Sequence, residues 1–278
     1  MLIWLDHALV VLLAALFPVW AGFFGSRRLR RASGADLPRV RLSTYRRAMV
    51  MLWGLSLVVV TLWLTLERTL ASLGLVPRLT PGLLGVGFGA AIVAIAMIRQ
   101  RNQTLADDEA LGRLRERIGH IDLVLPHSRN ELRAFYGLSV TAGICEELLY
   151  RGYLIWYLTH GLGFWPAAAV ASVLFGLGHA YQGPRGVLLT AAVGAFLATI
   201  YWITGSLFAP MVLHALMDIH SGHLAHAAFE REAAARWPVP EGEPPSEARD
   251  PSPGTAENAA APESPLAGSG GGADGASI

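Results

Sequence analysis

The sequence predicts an all-α fold, a polytopic bundle of about seven transmembrane helices around a buried polar cavity. Three observations carry this reading. The 278 residues are 53% hydrophobic and 15% charged, with a mean hydropathy of +0.42, whereas soluble domains are nearer about 25% charged. Apolar runs of roughly the 20 residues that a spanning helix needs recur along the chain. Ionisable residues lie inside the later runs at helical spacing, so one face of those helices must turn away from lipid.

The runs are 2–25, 48–66, 82–98, 134–158, 165–181, 186–203 and 206–226. The first has Asp6 and His7 at its outer edge, lacks a basic start, and carries its arginines after the apolar stretch, unlike a secretory signal. The loop at 26–47 holds eight arginines against one aspartate, and the loop at 99–133 holds seven, while 67–81 has only Arg68 and Arg78. The positive-inside bias therefore makes the two rich loops cytoplasmic and puts the amino terminus outside. Seven spans then place the carboxyl-terminal tail in the cytoplasm. All 22 basic residues are arginine. An arginine-rich block flanked by apolar runs reads as a topogenic loop, and no nucleic-acid partner is expected. The single Cys145 excludes an intrachain disulfide framework and reads as a small apolar filler.

Residues 101–130 alternate charge with Leu and Ile, the pattern of a helix along the cytoplasmic interface. Three regions follow. Residues 1–130 supply amino-terminal spans, the arginine-rich loop and the interfacial helix; 131–229 form a polar-lined helix bundle; 230–278 are an acidic Pro/Gly/Ala-rich tail, disordered from about Trp237.

The charged groups define the candidate site. In "EELLYRGYL", Glu147 and Arg151 are four apart with the acid first, which suits a salt bridge. Glu146 points about 100° away, leaving a free carboxylate. "FGLGHA" puts Phe175 and His179 one turn apart, and "APMVLHALMD" pairs His214 with Asp218, whose carboxylate could take a ring N–H and fix the tautomer. An acid and two imidazoles can hold a water, remove its proton and stabilise the oxyanion formed at a carbonyl. The same Glu146, His179 and His214 could instead ligate zinc. His220, His223 and His226 read as a solvated or headgroup-contacting face.

"EELLYRG", "FGLGHA" and "TGSLFAPMVLHALMD" together resemble the CPBP intramembrane protease family, also called the CAAX prenyl protease type II or Abi family. Order and spacing both agree with its Glu-Glu-x-x-x-Arg, Phe-x-x-x-His and His-x-x-x-Asn/Asp pattern, over roughly residues 131–222. The resemblance implies an integral membrane endopeptidase of a bacterial cytoplasmic membrane, acting on a membrane protein or peptide, in some members a prenylated one. It implies that Glu146 activates water, His179 helps hold it, His214 with Asp218 stabilises the oxyanion, and Glu147 with Arg151 anchors the site. A glutamate-dependent and a metal-dependent mechanism both remain open. Asp218 stands where some relatives have Asn. A proton-coupled transporter and a non-catalytic immunity or scaffold protein are the competing readings of the same cluster.

Overall fold

The computed structural model describes residues 2–16, 26–32, 34–77 and 80–236, and among these there is no β-strand. The chain divides into a unit at Met1–Trp237 and one at Pro238–Ile278, and the described residues all belong to the first.

Helix α1 (Trp4–Val11) runs into a π-helical turn at Leu12–Leu16, and α2 is Ser26–Arg31. Then come α3 (Leu37–Thr65), α4 (Pro81–Ala106), α5 (Asp108–Ile118), a 3₁₀ segment at Gly119–Val124 and α6 (Arg129–Glu146). A π-helical segment at Glu147–Leu154 leads to α7 (Ile155–Leu162), followed by α8 (Phe164–Gly178), α9 (Gly183–Thr204) and α10 (Phe208–Arg236). Helix starts follow the local chemistry. Thr80 accepts from the Leu83 N–H ahead of Pro81, and Asp107 accepts from Glu109 N–H. Ser128 and Glu131 form a reciprocal capping box on α6. Gly205 closes α9 in the left-handed conformation at φ 61, where a Cβ would be strained.

In their described parts the expected apolar runs are largely helical. Among the described residues three helices, at 34–65, 81–106 and 180–204, are long and apolar enough to cross a membrane, and shorter apolar helices lie at 4–15 and 164–178. Residues 17–25 of the first run, and Arg78, lie outside the described residues. Val50 and Leu57 on α3, Leu84 and Phe88 on α4, and Leu188 on α9 are exposed, a surface suited to lipid rather than water. Two boundaries differ from expectation. Helix α4 continues to Ala106, beyond the apolar run that ends at 98, and α10 continues to Arg236, beyond the run that ends at 226. The last turns of α10 are tied back by ion pairs of Glu232 with Arg115 (3.2 Å) and Arg231 with Asp108 (2.9 Å). Residues 237–278 lie outside the described residues.

Helix α6 packs against both α3 and α10, and α8 against α9. The α6–α10 approach depends on Gly143: a Cβ there would stand 2.8 Å from the Met211 carbonyl oxygen and 2.9 Å from Ala215 Cβ. Small residues permit such backbone proximity in lipid. At Gly137, on the same helix, the nearest atom to a Cβ would be Met49 Sδ at 3.7 Å, an ordinary contact. Gly143→Ala should therefore destabilise the bundle by about 1–3 kcal/mol, while Gly137→Ala stays within about 0.5 kcal/mol. Thermal unfolding of the two variants in one detergent measures the difference.

A buried ion pair joins α3 to the start of α6. Arg41 Nη1 donates to Glu131 Oε1 at 2.7 Å, and Arg41 Nε donates to the Leu123 carbonyl at 2.9 Å. Glu131 Oε2 accepts the backbone N–H groups of His127 (2.8 Å) and Ser128 (2.9 Å), and Tyr45 donates its hydroxyl to the Val124 carbonyl. Burial alone would raise the Glu131 pKa, but these N–H groups and the Arg41 guanidinium outweigh it and hold the carboxyl below its usual 4.5. A depressed folded-state pKa contributes stability that is complete above the unfolded value and is lost as pH falls through the folded one. Melting temperature should therefore fall in acid for the native chain and fall less steeply for Glu131→Gln.

Candidate active site

The π-helical segment places the acidic pair. Its wider turn is visible where the Ile155 N–H donates to the Tyr150 carbonyl, five residues back; such interruptions of α-helices are frequent at functional sites. Run 134–158, expected as one continuous α-helix, is thus broken directly after Glu146. Glu147 and Arg151 lie within the break, both buried, with Arg151 Nη1 donating to Glu147 Oε1 at 2.8 Å. The guanidinium also stacks over the Phe175 ring at 4.3 Å. Gly194 on α9 makes room for it, since a Cβ there would come within 3.2 Å of Arg151 Nη2.

The same Glu147 Oε1 accepts a second hydrogen bond, from His214 Nδ1 at 2.8 Å. This corrects the expected assignment of Asp218 as the partner that fixes the His214 tautomer. Asp218 Oδ2 lies 3.8 Å from Nε2, the other ring nitrogen, beyond hydrogen-bond reach. The reason is geometric: α10 crosses α6 closely enough, at Gly143, for a carboxylate 67 positions earlier to reach the ring before the one a turn away on the same helix. With Nδ1–H committed to Glu147, His214 turns Nε2 toward Glu146, whose Oε2 is 3.9 Å away. That carboxylate is 8% exposed, and its Oε2 has no hydrogen-bond partner among the described residues. One oxygen atom could accept or donate to both groups at normal hydrogen-bond lengths, with an angle of about 90° between them.

His179, in the turn after α8, donates Nδ1–H to the Phe175 carbonyl at 2.9 Å, which leaves its Nε2 for the cavity. Phe175 meets both imidazoles, with centroids 4.9 Å from His179 and 5.8 Å from His214. A cavity of about 1250 Å³ is lined by Glu146, Phe175, His179, His214 and Asp218 together. Four of the expected site residues, Glu146, His179, His214 and Asp218, thus share one space with Phe175, and Glu147 and Arg151 do not line it.

Sequence reasoning missed two parts of this site. The first is the Glu147–His214 bond. The second is the contribution of the amino-terminal region: Tyr45, Met51 and Leu52 of α3 and Met97 of α4 line the same cavity, although those segments carry no motif. The only signal available was the exclusion of water-facing roles for an all-apolar run. The histidine run on α10 also differs from expectation. His226 is 4% exposed and lies 3.4 Å from Glu230, and His223 Nδ1 bonds the Tyr136 hydroxyl at 2.8 Å. The His226 ring is thus packed against neighbours, while His220 and His223 are half-buried. Among the described residues no group of three or more His, Cys, Asp or Glu side chains is placed to hold a metal ion.

A buried carboxylate facing an imidazole that a second carboxylate orients, inside an apolar helical bundle, is an arrangement suited to hydrolysis within a membrane protein. Residues 128–220 match the family described as type II CAAX prenyl endopeptidase Rce1-like. That segment, which contains both residues of the acidic pair and both imidazoles, is similar to the Rce1-like family of CAAX-type proteases and spans about a third of the chain. No curated protein and no solved structure matches the chain.

Proposed function

We propose that the protein is an intramembrane endopeptidase that hydrolyses a peptide bond in a membrane-associated, lipidated substrate, with Glu146 as general base. The observation that carries this reading is the 3.9 Å separation of Glu146 Oε2 and His214 Nε2 on the wall of one cavity. A water held by both is poised to attack a carbonyl placed beside them. Glu146 takes a proton from that water as its oxygen bonds to the carbonyl carbon. The resulting oxyanion accepts a hydrogen bond from His214 Nε2–H when the ring is protonated, a state that Glu147 supports from Nδ1. His179, through Nε2, holds the water or the oxyanion from the other side of Phe175. The C–N bond then breaks as Glu146 returns its proton to the leaving amine, which restores the carboxylate. Asp218 lines the cavity without a direct bond to the ring and tunes its charge from 3.8 Å.

The apolar part of the cavity, including Met51, Leu52 and Met97, suits a hydrocarbon group attached to the peptide. The test is cleavage of a synthetic prenylated peptide by the purified protein in vesicles, with mass-spectrometric location of the cut. Turnover is expected with and without a strong chelator. Loss of turnover on chelation, restored by zinc, would replace the metal-free route. Ion flux without any cleavage would replace the hydrolase reading with a transporter.

A further inference from the structure

The end of the cavity away from Glu146 is lined by five arginines, Arg27, Arg28 and Arg31 of α2 and Arg39 and Arg47 of α3, against a single carboxylate, Asp36. Several arginines elsewhere are paired with carboxylates: Arg41 with Glu131, Arg115 with Glu232, Arg129 with Glu230 and Arg151 with Glu147. Among the described residues Arg28, Arg31, Arg39 and Arg47 have no such carboxylate, and Arg28 Nη1 is buried without a hydrogen-bond partner. A cluster of guanidinium groups of one sign, with one nitrogen of Arg28 withdrawn from water, is unfavourable unless an anion completes it.

The surrounding surface identifies the anion's carrier. On α3, Arg47 is less than one turn from Val50, and Val50, Trp53 and Leu57 are all exposed. The polar mouth therefore meets a lipid-facing apolar surface at one level of the helix, the level at which headgroups lie. We propose that this mouth is a binding site for the phosphate headgroup of an anionic phospholipid. The guanidinium groups of Arg31, Arg39 and Arg47 hold the phosphate through charge-assisted hydrogen bonds, and the acyl chains remain in the bilayer along α3. The site adjoins the space that leads to Glu146, so a bound anionic lipid forms part of the passage a substrate must cross. The binding claim stands apart from the protease reading, because it is read without any cleavage.

The experiment uses the full chain in mild detergent and compares phosphatidylglycerol with phosphatidylcholine of identical acyl chains by native mass spectrometry. Phosphatidylglycerol should bind in clear preference, and each of Arg31→Gln, Arg39→Gln and Arg47→Gln should weaken it roughly fivefold. Arg30→Gln and Arg46→Gln, whose side chains do not line the cavity, should leave it unchanged. Circular dichroism and thermal unfolding select variants that fold, and any one of the three mouth substitutions suffices. Equal binding of the two lipids overturns the proposal, as does an equal loss from the off-cavity arginines, which would indicate general charge attraction. Arginine-dependent binding of inorganic phosphate that displaces the lipid would assign the site to a free anion. Arginine-dependent binding of an acidic peptide, with no lipid preference, would assign it to a protein partner.

Discussion

Glu146→Gln is expected to lower turnover on a prenylated peptide by roughly a hundred- to ten-thousandfold, the range over which a positioned general base contributes. The amide keeps the shape and burial of the side chain but cannot take a proton. Because Glu146 Oε2 makes no hydrogen bond among the described residues, its replacement breaks none there. Membrane accumulation and melting temperature should match the native chain, so the loss is catalytic. An active Glu146→Gln enzyme would remove Glu146 from the role of base. A variant that fails to accumulate would make it a structural residue.

The opposite pattern is expected one position later. Glu147→Ala leaves the Arg151 guanidinium and the His214 ring, each at most 5% exposed, without their shared acceptor. Removing one member of a buried ion pair costs about 3–5 kcal/mol, because the remaining charge keeps its desolvation penalty. This variant should melt well below the native chain and accumulate poorly. Glu147→Gln retains an acceptor oxygen and should recover part of the stability while turnover stays low, since His214 loses its anionic support. Asp218→Asn, by contrast, should keep both the fold and most of the turnover, because no hydrogen bond to the ring is broken. If Asp218→Asn proved as damaging as Glu147→Gln, the ring would be oriented by Asp218 after all. Melting curves and turnover of the three variants, compared side by side, separate these outcomes.

The parts of the site set by local spacing were legible in the chain. Glu147 and Arg151 pair four residues apart, as a helical repeat dictates, and Glu146, Phe175, His179, His214 and Asp218 share one cavity. Apolar run length also located the helices, because a spanning segment must satisfy its backbone internally. What was not legible depends on how helices cross. The Glu147–His214 bond joins residues 67 positions apart, and only the close approach at Gly143 brings them together. The spacing of His214 and Asp218 offered a plausible local partner, and tertiary contact overrode it. The π-helical break after Glu146 leaves no mark in hydrophobic periodicity. The arginines of residues 26–47 signalled topology, but their convergence on the same cavity as Glu146 follows from packing of α2 and α3 that no motif encodes.

The central claim is that Glu146 acts on a water molecule instead of attacking the peptide itself. A single turnover in water enriched in the heavy oxygen isotope tests it most directly, with mass analysis of both the cleaved peptide and the protein segment that carries Glu146. One heavy oxygen is expected in the new carboxylate of the peptide and none in the Glu146 side chain. Heavy oxygen in Glu146 would mean that its carboxylate had bonded to the substrate carbonyl, and the arrangement described here would then serve a covalent mechanism.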